Sequence, residues 1–291
     1  MEIKNIIHEG YITTFGLEFF AVDHCNLRCS GCSQCSPYLK KKFADIKKFE
    51  SSLEILKKYL RPDKVTILGG EPLLHPEIDL IIAIAKSSKM FNKIQITTNG
   101  LLLPGMSNFF WSNVDILSIT KYPINSAFLD SHLNKISNLC LDSGIQLLIR
   151  EMNNFNRIIL TEKNTDYRCV EDIFEKCKYK YYCHTLSEGR IYRCSPIVNM
   201  NKYNEVFNRS LLPDTHDFFD IDDCLGFQSK LFNYLNSDER LNGCTYCLGS
   251  SGKAFPHKQL TDYELRNPKC QRISTENYKC QDDFNTMVRV L

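Results

Sequence analysis

The segment Cys25-Asn26-Leu27-Arg28-Cys29-Ser30-Gly31-Cys32 sets three thiols at C-x-x-x-C-x-x-C. One short loop of this kind can wrap three irons of a cubane and leave the fourth open, as an external chelating molecule requires. The chain has fourteen cysteines, and they gather: four from Cys25 to Cys35, three from Cys177 to Cys194, and a Cys244-Thr245-Tyr246-Cys247 pair. Gathering points to metal ligation. Scattered cysteines would suggest packing, and structural disulfides belong to oxidising compartments and mostly to small secreted domains. On spacing alone two other uses of the first run stay open: a ferredoxin-like set of Cys29, Cys32 and Cys35, and a zinc site.

A second constellation lies in Cys183-His184-Thr185-Leu186-Ser187-Glu188-Gly189-Arg190-Ile191-Tyr192-Arg193-Cys194. Glu188-Gly189 between segments of strand character predicts a two-residue hairpin turn. Ser187 then pairs with Arg190, and stepping outward Cys183 falls opposite Cys194, with Cβ atoms about 5 Å apart. Cys244 and Cys247 can close the set, and Cys183, Cys194, Cys244 and Cys247 are the expected ligands of an auxiliary site. Zinc is the alternative occupant, since C-x-x-C plus two further cysteines is also a tetrahedral zinc set. Cys140 belongs to a helix's inward stripe. Cys169 and Cys224 have no partner at ligand spacing, and Cys270 and Cys280 are expected to pack.

These loops need a frame. Leu17 to Val22 is an apolar run ending just before Cys25, and it reads as a buried strand feeding a loop. A helix over 51–60 with Leu53, Leu56 and Leu60 on one face leads to a strand over 64–68, which ends at Gly69-Gly70. A helix over 77–86 carries Ile78, Ile81, Ile82 and Ala85 on one stripe. Strands over 93–97, 114–120 and 145–149, a helix over 127–142 and a sixth strand over 157–160 complete the alternation. Strand and helix alternating in this way predict parallel βαβ units with sites at the C-terminal strand ends. The strand count is nearer six than eight. The pattern dissolves beyond residue 177, where a domain change is expected.

Lys and Arg total 36 against 34 for Asp and Glu, a formal net charge of +2, so no basic face calls for nucleic acid and none for a membrane surface. Glu2, His8 and Glu9 interrupt what a secretory signal would keep apolar, and no run approaches 18 apolar residues. A cytoplasmic location is expected.

Cys25, Cys29 and Cys32 just after a first strand, followed by Gly69-Gly70-Glu71-Pro72 after a second, resemble the radical S-adenosylmethionine (SAM) superfamily with its GGEP segment. The resemblance implies a partial (β/α)6 TIM-like barrel over 14–176 and a Cys-rich Twitch-like module over 177–291. It implies a 4Fe-4S cluster on Cys25, Cys29 and Cys32, with SAM bound at the open iron and reductively cleaved to a 5′-deoxyadenosyl radical. Gly69, Gly70, Glu71 and Pro72 would meet SAM, with Glu71 receiving the ammonium group. Thr98, Asn99, Ser118 and Arg150 are further SAM candidates, Arg150 for the carboxylate. The residue before the third cysteine is commonly aromatic in this family and is Gly31 here, so adenine contacts must come from elsewhere. The C-terminal cysteines resemble the Twitch and longer SPASM domains, which hold auxiliary clusters. Lys253 and His257 stand where the longer type has two more cysteines, which argues for one auxiliary 4Fe-4S cluster. The family's first auxiliary cysteine usually lies further upstream, making Cys177 the rival of Cys183.

A four-cysteine cluster has no open iron and suits electron transfer, which favours dehydrogenation of a carbinol on a sugar or sugar-derived small molecule, served by a reductant such as flavodoxin or ferredoxin. Radical epimerisation and peptide maturation are the other outcomes this resemblance allows. An iron-sulfur electron carrier or zinc-stabilised binding protein is the non-enzyme alternative, and it would have no use for GGEP.

Overall fold

The computed structural model describes residues 5–209, 216–268, 273–278 and 288–290. Cys270 and Cys280 lie outside them. The chain enters through β1 (Ile6–His8) and β2 (Tyr11–Thr14) and runs β3 (Leu17–Val22) into the core, where all its residues but Glu18 are buried. A two-sided apolar strand of this kind is what a parallel sheet covered on both faces demands.

Next come α1 (Ile46–Leu56), β4 (Leu60–Pro62) and β5 (Lys64–Gly69). The first helix begins earlier than its leucine spacing predicts, because Asp45 caps it by accepting the Lys48 N–H at 3.1 Å. Leu53 and Leu56 keep their buried places, while Leu60 opens β4, which pairs with β2. The alternation continues with α2 (Ile78–Ser87), β6 (Lys93–Thr98), α3 (Asn108–Asn113), β7 (Ile116–Lys121), α4 (Ser126–Asp142) and β8 (Gln146–Glu151). Ile78, Ile81, Ile82 and Ala85 are the buried stripe of α2, and Cys140 is buried on α4.

The remaining elements are β9 (Asn154–Asn156), α5 (Tyr167–Lys176), α6 (Tyr179–Tyr182), β10 (Thr185–Ser187), β11 (Arg190–Tyr192), α7 (Ser195–Val198), α8 (Met200–Phe207), β12 (Phe219–Asp220), α9 (Phe227–Leu235), β13 (Ala254–Pro256), α10 (Asp262–Arg266) and β14 (Val288–Val290). Among the described residues the main sheet has nine strands in the order β12-β11-β10-β3-β5-β6-β7-β8-β14.

Its parallel run, β10-β3-β5-β6-β7-β8, has the expected six strands, but the sixth is not 157–160. Ile159 makes an isolated bridge to Cys247 instead. The sixth parallel strand is β10, which joins the opposite edge at β3 from 167 residues later in the chain. The sheet is therefore a partial barrel that does not close, and residues on either side of position 177 share it. No helix among the described residues is long and apolar enough to cross a membrane.

Candidate active site

A cavity of about 590 Å³ opens at the C-terminal ends of the parallel strands. Cys25, Cys29 and Cys32 all line it. Burial pushes the Cys25 and Cys29 thiols up to about 12, so thiolates here need a cationic partner to form. The loop is held from below by α8, whose Tyr203 hydroxyl donates to the Cys32 carbonyl at 2.5 Å. Cys35 is buried at 1% exposure and does not line the cavity.

Gly69 and Gly70 do what glycine alone permits, and their partner is the chain leading into the cysteine loop. A Cβ on Gly69 would lie 2.3 Å from the Val22 oxygen, and one on Gly70 2.0 Å from the His24 oxygen. The close approach is tied by Gly70 N–H to Val22 (2.7 Å) and Glu71 N–H to His24 (3.1 Å). Both glycines line the cavity, whereas Glu71 and Pro72 do not. Glu71 is 1% exposed, and its carboxylate is taken up by the Thr98 hydroxyl (2.6 Å), the Asn99 N–H (2.9 Å) and the Leu73 N–H (3.1 Å). Burial raises its pKa to about 7, against the pull of these donors. Glu71 thus fixes the ends of β5 and β6 to each other and presents no oxygen to the cavity.

Thr98 and Asn99 line the cavity, and the Asn99 amide donates to Asn26 Oδ1 at 2.7 Å inside the cysteine loop. Ser118 does not line it, because it sits mid-strand in β7. Thr120, two residues on and hence on the same face, takes that place at the strand end. Arg150 lines the cavity with its Nε buried and unpartnered. Tyr122, Met152, Asn154, Phe155 and Asn156 also contribute walls that the motifs do not reveal; their position just past the ends of β7 and β8 is the only sequence cue.

At the second constellation the hairpin register is as expected, with Ser187 opposite Arg190 and Thr185 opposite Tyr192. Extending it outward to the cysteines fails. The strand stops at Thr185, and Cys183 is instead the C-cap of α6, with φ −115° and ψ 40°. Its sulfur is engaged by Glu18, and Cys177 and then Ser195 also act on it. Cys177 acts on Cys183, Cys194, Cys244 and Cys247 alike, and burial raises all five thiols.

Backbone N–H groups of Tyr179, Lys180 and Ser250 face the Cys177 sulfur, that of Ile197 faces Cys194, and Gly249 N–H donates to Cys247 Sγ at 3.2 Å. Such donors are what a ligating thiolate uses to spread its charge. The structure therefore adds Cys177 to the group, and Cys177 in turn acts on Cys183. Among the described residues, no three of these groups stand close enough to grip a single metal ion.

Both sets suit the clusters by their donor chemistry. The first offers three thiols on one cavity beside a guanidinium whose Nε is buried and unpartnered, and the second offers buried thiols, of which Cys177, Cys194 and Cys247 have N–H donors.

Residues 21–120 match the family model described as the Radical SAM superfamily. Enzymes of this family use a 4Fe-4S cluster and SAM. Two curated relatives are GTP 3′,8-cyclases. One, from Peptoclostridium acidaminophilum, is 34% identical over 106 residues, 35% of this chain and 33% of that protein. The other, from Alkaliphilus oremlandii, is 39% identical over 84 residues, 28% of this chain and 26% of that one. The chain thus spans no more than about a third of the length of these relatives. Among solved structures, BtrN in complex with AdoMet and 2-DOIA is similar at 13% identity and a TM-score of 0.44, over 77% of this chain and 83% of that one.

Proposed function

We propose, from the match of residues 21–120 to the Radical SAM superfamily model, that the chain cleaves SAM reductively and removes hydrogen from a carbon of a neutral, sugar-derived small molecule, ending in its dehydrogenation. Cys25, Cys29 and Cys32 would hold the SAM-binding cluster, and Cys177, Cys194, Cys244 and Cys247 the auxiliary one. When bound, the first cluster supplies the electron that cleaves SAM and the second an acceptor for the electron the substrate must lose. Arg150 holds the SAM carboxylate by charge-assisted hydrogen bonds, and Asn99 steadies the loop beneath it. Phe155 and Met152 exclude water from the reacting carbon. A flavodoxin or ferredoxin would serve as reductant, in the cytoplasm.

The observation that carries this reading is the make-up of the cavity wall. Among the described residues Arg150 is the one charged residue lining it, and the polar remainder is amide and hydroxyl: Gln34, Asn154, Asn156, Thr120 and Tyr122 with their neighbours. Such a wall matches hydroxyl groups, while a nucleoside triphosphate calls for several cations. Epimerisation would need a thiol to return hydrogen, and among the described residues the cysteines lining the cavity are the three assigned to the cluster.

Reduced, anaerobically reconstituted protein should form 5′-deoxyadenosine faster with neutral polyols or amino-free sugar carbinols than with GTP. Stimulation by GTP alone would overturn the substrate assignment. Iron near four per chain together with one zinc would overturn the auxiliary cluster.

A further inference from the structure

The segment from β13 to α10 lies as a strap across the cysteine loop. Ser30 N–H donates to the Lys258 carbonyl at 2.9 Å, Leu260 N–H to the Arg28 carbonyl at 2.7 Å, and Arg28 N–H to Gln259 Oε1 at 2.6 Å. Arg28 also pairs with Asp262 at 2.8 Å. Two side chains of the strap end on one sulfur. His257 Nε2 lies 3.2 Å from Cys29 Sγ and Gln259 Nε2 lies 3.4 Å from it.

Both side chains are held in that orientation by contacts of their own. The His257 ring stacks on Tyr122 with centroids 4.8 Å apart and planes 15° from parallel, and its edge meets Phe155. Its backbone N–H donates to the Asn153 carbonyl at 2.8 Å. For Gln259, Oε1 is committed to the Arg28 N–H, so the amide nitrogen is the end that faces sulfur.

We infer that His257 and Gln259 are positioning residues that donate hydrogen bonds to the Cys29 sulfur and thereby raise the reduction potential of the cluster it ligates. The inference rests on the assignment of Cys29 as a cluster ligand. A one-electron reduction adds negative charge to the cluster and its thiolates, and N–H donors aimed at a sulfur stabilise the reduced form more than the oxidised one. No bond is made or broken in this role. His257 stands at one of the two positions where the longer auxiliary domain has a cysteine, so in this chain the strap serves the SAM cluster.

The test is a potentiometric titration of the reduced-cluster EPR signal in full-length reconstituted protein, with the SAM cluster identified as the signal that SAM perturbs. Gln259→Glu keeps the acceptor for Arg28 and replaces the donor with a charge, and His257→Phe keeps a ring on Tyr122 without a donor. Each should shift the midpoint to a more negative value, with Gln259→Glu leaving about tenfold less reduced cluster at a fixed potential, which is about 59 mV for one electron. His257→Gln, which restores an N–H, should recover part of the shift. Unchanged midpoints in both donor-lacking variants at wild-type iron content would overturn the inference while leaving the cluster assignment intact. If His257→Phe does not retain the cluster, the midpoint of Gln259→Glu decides alone. A wild-type protein with no SAM-perturbed signal would overturn the cluster assignment itself.

Discussion

The carboxylate of Glu71 accepts the backbone N–H of Asn99 at 2.9 Å, joining the end of β5 to the end of β6 beneath the cavity. Thr98 and Leu73 complete the same carboxylate. Glu71→Ala would leave these buried donors unpaired at a cost of about 1–3 kcal/mol each. It should lower the melting temperature and, through the displaced Asn99, weaken SAM binding. Wild-type stability together with wild-type SAM affinity in this variant would refute the positioning role.

Cys177 and Cys183 make opposite predictions. Cys177→Ala should remove one cluster's worth of iron from the reconstituted protein, as its proposed place beside Cys194, Cys244 and Cys247, whose thiols it acts on, requires. Cys183→Ser should keep that iron. The reverse result in an iron assay of the two variants would return the ligand to Cys183.

The contrast between these two cysteines shows what the residues reveal locally and what they do not. The turn was legible because Glu188 and Gly189, with φ of 51° and 74°, take the left-handed conformations a two-residue hairpin needs. That four-residue α6 would end on Cys183 and break the strand was not legible, since Tyr179 to Tyr182 has no apolar stripe to announce a helix. The core strands and α2 showed themselves through uninterrupted apolar runs and a helical stripe. The parallel pairing of β10 with β3, and the strap that carries His257 to Cys29, join distant parts of the chain and leave no short-range pattern. Ser118 lies short of the cavity for a different reason: period-two alternation identifies the right face of β7 but does not say how far along it the cavity begins.

His184 yields a pH prediction. It is 2% exposed, its Nδ1 lies 3.1 Å from the Arg193 carbonyl and its Nε2 3.2 Å from the Asn5 amide, an arrangement that suits neutral imidazole. Burial lowers its pKa from 6.5 to about 4, and the Arg193 guanidinium adds to that. The unfolded chain therefore binds this proton first as pH falls. Stability should be fully present above about pH 6.5 and be lost towards pH 4, by on the order of 3 kcal/mol. Denaturant titrations across this window should show wild type losing on the order of 3 kcal/mol more stability towards pH 4 than His184→Asn, since the buried Glu18 and Glu71, raised to about 7, act equally in both. Parallel slopes would mean that His184 does not titrate as described.

Gly31 and Phe255 predict a coupling that can be measured. Gly31 has φ +70°, and a Cβ built on it would lie 2.4 Å from Phe255 Cζ, so the ring occupies the space a side chain at position 31 would need. The absence of an aromatic residue before Cys32 is thus matched by an aromatic ring delivered from β13, which Arg157 also covers at 4.3 Å from the ring centroid. Gly31→Ala should cost about 1–2 kcal/mol for the left-handed backbone and about 1–3 kcal/mol for the collision with a packed ring. Phe255→Ala removes the collision and leaves the backbone cost. In the Gly31→Ala, Phe255→Ala double variant the destabilisation should therefore fall short of the sum of the single changes by roughly 0.5–3 kcal/mol, the range expected of residues in contact. Additive losses in denaturant unfolding would show that Phe255 moves aside freely and that Gly31 is required for its backbone conformation alone.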